Sequence, residues 1–132
     1  MYGLNYLSGY GDQGILILRL VVAVIFMYHA VPKFKTPEAM GKGIGWSAQK
    51  VQALGWFEMV SGILLIIGGW LTSLGSFVLA VVMVGAIWHK AMKWNVPFAA
   101  HDKTGWEFDL LLLAACLAIY LTSGGGLRLF GY

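Results

Sequence analysis

GILILRLVVAVIFMYHAV, residues 14–31, decides the fold: eighteen residues with one arginine, one histidine and otherwise nothing that seeks water. A bilayer core about 30 Å thick needs a helix of roughly 20 apolar residues. Three further stretches repeat the pattern, Val51–Leu71, Ser73–Met92 and Trp106–Thr122, the last being the shortest. Together they use most of the 132 residues and leave short connections with no room for a separate soluble domain. With only 11% charged residues the chain cannot coat a soluble surface. The reading is an all-α integral membrane four-helix bundle. It has an irregular interfacial N-terminal segment (1–13, rich in glycine and tyrosine), a helical domain (14–122) and a short tail (123–132).

A net charge of +3 is spread over loops without a basic stripe, so nucleic acid is not an expected partner. The single cysteine, Cys116, excludes an internal disulfide or a Cys-x-x-Cys redox pair and reads as a small core residue. Met1–Asp12 lacks a basic leader, so the first helix is expected to stay in the mature protein. Lysines set the expected topology. Lys33, Lys35, Lys42 and Lys50 lie in the first loop and Lys90, Lys93 and Lys103 in the third, with none near Leu71–Gly75. The positive-inside rule then puts both of these loops in the cytoplasm of a cell (inner) membrane and both termini outside. Arg19 votes against this.

Local signals are expected to punctuate the spans. Pro32 stops the first helix. Thr36-Pro37-Glu38 opens a short helix ending near Gly41. Ser73 caps the third span, and Thr104 with Glu107 forms a capping box before the fourth. Five tryptophans (46, 56, 88, 94 and 106) fall near the lysine-bearing interface and Trp70 near the opposite one, as in an anchoring belt.

Charges inside a membrane span are costly and face the bundle interior or a cavity. Helical periodicity places Glu58 on the Gly55–Gly62–Gly69 stripe and Glu107 with Ala114 and Ala118. His89 lies four residues after Gly85, and His29 sits at the edge of an Arg19–Ala23–Phe26–Ala30 stripe. These patterns predict a buried polar cluster of His29, Glu58, His89 and Glu107 at the lysine-bearing end, with Lys33 and Asp109 at its mouth. Arg19 is left as an intramembrane charge towards the other end. The cluster reads as a pocket for a quinone or for protons; structural pairing between helices is the plainer alternative. Lys33, Lys90 and Lys93 taken singly read as interface anchors. Two histidines at similar depth also admit haem b, or zinc or iron with Glu58 and Glu107. Both are minor readings: one histidine pair is weak support for haem, the metal site has no spacing signature, and no metal is assigned.

The same residues resemble a family. Leu18-Arg-Leu20, Phe26, His29 and Lys33-Phe34 resemble the first-helix pattern of the DoxX family of small four-helix membrane proteins. Glu58, Gly62, Gly68 and Thr72 are similar to its second and third helices, and Gly105-Trp-Glu107 followed by Leu110–Ala115 to its fourth. The resemblance runs from about Ile15 to Tyr120. Ala30 and Ser73 depart from it, standing where the family often has glycine and arginine. The family takes its name from a subunit of a thiosulfate–quinone oxidoreductase, so the resemblance implies quinone-linked redox chemistry in the membrane. The expected partners are the lipid bilayer and either other membrane subunits or further copies of the chain. The main alternative is a non-catalytic accessory or assembly subunit; a small-solute or proton carrier is a third reading.

Overall fold

In lipid the backbone has no partner but itself, so long apolar runs close their hydrogen bonds within helices. A computed structural model describes residues 8–129. After a 3₁₀ turn at Ser8–Tyr10, helix α1 spans Gly11–Lys35, α2 Pro37–Ile44, α3 Ala48–Ile67, α4 Trp70–Trp88 and α5 Trp106–Leu121. A π-helical turn, His89–Lys93, prolongs α4. There is no strand among the described residues. Tyr2, Gly3 and Tyr6 of the expected interfacial segment lie outside the described residues.

Gly11–Lys35, Ala48–Ile67 and Trp70–Lys93 are each long and apolar enough to cross a membrane. α5 has 16 residues, which at about 1.5 Å per residue makes it the shortest of the four main helices. α1 packs on α3, α3 on α4 and α4 on α5, while α5 closes the ring against α1 through a lighter seam. α2 packs on α1 and α3 at their lysine-bearing ends. Val22, Phe26, Leu65, Leu79, Leu112, Cys116 and Ile119 fill the centre. Glycines on α3 and α4 mark points of close helix approach. A side chain at Gly62 would meet Met27 on α1, and one at Gly75 would come within 2.8 Å of the Ser61 carbonyl oxygen on α3.

Several local signals resolve differently from the sequence reading. Pro32 lies inside α1, which runs on to Lys35. A proline one turn from the end removes one N–H and leaves the last turn free to close, here by Thr36 N–H donating to the Pro32 carbonyl at 2.8 Å. α2 continues past Gly41 to Ile44 and ends at Gly45, whose φ of 77° is the left-handed cap. Ser73 lies within α4, which begins at Trp70 behind Gly69. The capping box at Thr104 does not form: Gly105 precedes α5 without a side-chain cap, and the Glu107 N–H donates to the Phe98 carbonyl at 3.0 Å. Ser47 caps α3, its hydroxyl accepting from Lys50 N–H at 3.3 Å.

The end opposite the lysines is tied by the chain's own tail. Arg19, fully buried, donates from Nη1 to the Gly124 carbonyl at 2.7 Å. Gly124 has a φ of 76°, and a side chain there would run into Thr72. Gly126 N–H donates to Asp12 Oδ1 at 2.8 Å, and Leu129 N–H to the Ile67 carbonyl at 3.3 Å. The tail is thereby strapped across the starts of α1 and α4 and the end of α3.

Candidate functional site

At the lysine-bearing end the four main helices enclose a cavity of about 450 Å³. Its walls are mostly apolar: Phe26 from α1, Leu54 from α3, Val82 and Ala86 from α4, Phe108 and Leu112 from α5. Met40 and Ile44 of α2, with Trp46 just after it, line the side towards the lysines. Ligand sites of this size commonly pair apolar walls with a few placed polar groups.

The polar groups come from α1, α3, α5 and the π-helical turn that prolongs α4. Lys33 on α1 reaches Glu58 on α3 at 2.9 Å, and its ammonium also donates to the His29 carbonyl at 2.9 Å. Glu58 is 4% exposed, which a carboxylate this far from water tolerates only beside a cation. Lys90 in the π-helical turn reaches Asp109 on α5 at 2.7 Å. The two ion pairs leave the cavity wall formally neutral. His89 lies half-buried among Trp46, Trp88 and Trp94, with ring centroids 5.3, 5.0 and 5.3 Å away. Its Nδ1 is 2.8 Å from the Gly85 carbonyl oxygen. The helix widens at this residue, where Trp94 N–H bonds back five residues to the His89 carbonyl at 2.8 Å. Such π-bulges recur at functional sites.

The structure therefore brings His29, Lys33, Glu58, His89 and Asp109 around one cavity. Three placements differ from the sequence reading. Glu107 is exposed and does not line the cavity; the buried stripe of α5 is Asp109, Leu112, Cys116 and Ile119. Residues 107 and 109 differ by about 200° around the helix, so turning one inward turns the other out. Asp109 accordingly lies inside, 6% exposed, rather than at the mouth. His29 lines the cavity but is exposed at its edge, in the light α1–α5 seam, with its ring centroid 6.4 Å from that of Phe108. Arg19 is at the other end and takes no part. Among the described residues no group of three or more His, Cys, Asp or Glu side chains is placed to hold a metal ion.

Sequence reasoning took Lys90 for an interface anchor and Trp46 and Trp94 for belt residues; they are wall residues of the site. The signal was present in part, since Lys90 follows His89 directly and so shares its depth. The π-turn that lets both neighbours reach the cavity has no sequence signature.

The DoxX family model matches residues 14–102, from α1 through the π-helical turn and into the loop before α5. A protein of Bacillus subtilis (strain 168), named "Putative oxidoreductase CatD", is 29% identical over 121 residues, covering 89% of this chain and 85% of its own length. No solved structure matches.

Proposed function

The chain belongs to the DoxX family, and from that premise we propose that it is a quinone-linked redox protein, or the quinone-binding subunit of a membrane redox complex. The observation that carries this reading is the cavity itself. It is a largely apolar space among four apolar helices, with two imidazoles and two lysine–carboxylate pairs in its wall. A quinone ring with a prenyl tail asks for such a site: apolar walls for the ring, polar groups for its oxygens, and access from lipid. Quinones carry two electrons and two protons between their oxidised and reduced forms. His29 and His89 are the side chains suited to meet ring oxygens, and Glu58 and Asp109, each beside a lysine, are suited to pass protons towards the lysine-bearing side. The name of the Bacillus subtilis relative supports redox chemistry rather than assembly alone.

In this reading the lysine-bearing end faces the cytoplasm and the protein sits in the cell membrane. Reporter fusions after Lys42 and after Leu129 test the orientation: the first is expected to be active as a cytoplasmic reporter, the second as an exported one. Function is tested by purifying the protein in mild detergent and extracting bound lipid-soluble compounds. Near-stoichiometric quinone in the wild type, reduced in a variant with the cavity filled by Ala86→Trp, is the expected result. Equal trace amounts in both would remove the proposal.

A further inference from the structure

The polar atoms of the cavity are not equally available to a ligand. Lys33 is committed to Glu58 and to the His29 carbonyl, and Lys90 to Asp109. His89 is committed at one nitrogen only. Its Nδ1 lies 2.8 Å from the Gly85 carbonyl oxygen, which can only accept, so Nδ1 carries the hydrogen. In the neutral ring Nε2 is then a lone-pair acceptor. Among the described residues nothing donates a hydrogen bond to Nε2. Three features hold the ring in this orientation. Gly85 presents its carbonyl one turn before, the π-turn begins at His89 itself, and three indoles pack around the imidazole.

Resting on the reading of the cavity as a quinone site, we propose that His89 Nε2 accepts a hydrogen bond from a ring hydroxyl, so that the site selects the quinol over the quinone. A carbonyl oxygen at the same place would set lone pair against lone pair. Relief would require the ring either to surrender its bond to Gly85, leaving that nitrogen without a hydrogen, or to take up a second proton within mostly apolar walls. Lys33 and Lys90 each already spend donor capacity on a carboxylate. Among the described residues nothing hydrogen-bonds the His29 ring to fix its tautomer, and His29 meets a second oxygen in either form. His89 is thus the residue that discriminates between the two redox states of the ring.

Calorimetric titration of the purified protein in detergent tests this with three probes: decylubiquinol under anaerobic conditions, decylubiquinone, and the dimethyl ether of decylubiquinol. One hydrogen bond gained without a competing loss corresponds to roughly a 3- to 10-fold preference. Decylubiquinol is expected to bind tighter by that factor than either other probe, because the ether keeps the reduced ring but has no hydroxyl to donate. The preference is expected to vanish in His89→Phe and persist in His29→Phe. Binding of all three probes with equal affinity, or a preference for decylubiquinone, overturns the role of His89 and leaves the cavity reading standing. Binding of none overturns both. Equal affinities in the wild-type protein overturn the role of His89 even where a variant fails to fold.

Discussion

Lys33 and Glu58 join α1 to α3 at 2.9 Å, with side-chain exposures of 12% and 5%. Removing one partner of such a pair leaves a buried charge without its counter-charge, at a cost of about 3–5 kcal/mol. Glu58→Met is expected to lose stability on that scale in denaturant titrations in detergent micelles. Lys33→Met combined with Glu58→Met is expected to regain most of it, because two apolar side chains need no counter-charge. A double variant no better than the single one would show that the carboxylate has a further partner.

Asp109 and Glu107 are two residues apart and point to opposite sides of α5. Glu107→Ala is expected to change stability by less than about 0.5 kcal/mol, as for exposed positions without special contacts. Asp109→Ala strands Lys90 and is expected to cost several times more. Thermal unfolding of the two variants side by side checks this. A larger loss from Glu107→Ala would mean that α5 is rotated relative to the arrangement described.

Gly75 brings α4 onto α3, and any larger residue there meets the Ser61 backbone. Backbone cannot give way as a side-chain end can. Gly75→Val is expected to cost about 1–3 kcal/mol. Gly85, where an added methyl would meet nothing within 4 Å, is expected to tolerate Ala with little loss of stability. Comparing midpoints of unfolding in the same detergent distinguishes the two positions.

Arg19 holds the tail through the Gly124 carbonyl, deep under the end opposite the site. A hydrogen bond from a charged donor contributes about 1.5–3 kcal/mol. Arg19→Met is expected to speed amide hydrogen exchange at Gly124–Leu129 more than tenfold while leaving exchange in α3 near its wild-type rate. Unchanged protection of the tail would show that Asp12 and Ile67 suffice to hold it.

The fold was legible because it rests on quantities a sequence carries directly. Four apolar runs, three of which form helices of membrane-spanning length, leave little choice but helices, and the glycine spacing marks where α3 approaches α1. Glu58 could be placed because it shares that glycine stripe, with neighbours three and four residues away. α5 was harder, since Leu110 to Leu113 are all apolar and its run offers no polar face to orient it. The small residues at Ala114 and Ala118 pointed to one stripe, while packing chose the stripe of Asp109, Leu112, Cys116 and Ile119. Ion-pair partners were beyond reach, because Lys90 meets Asp109 only through the pairing of α4 with α5. The aromatic wall around His89 depends on where two loops return, which local pattern does not encode.

Photolabelling with an azido-quinone tests most directly whether the cavity is the ligand site. Irradiation of the purified protein followed by peptide mapping is expected to place adducts on the walls, at Trp46, Leu54, Val82, His89 and Phe108, with excess unlabelled quinone suppressing them. Adducts confined to outward-facing Val24, Leu111 and Leu121, and insensitive to competitor, would contradict the account.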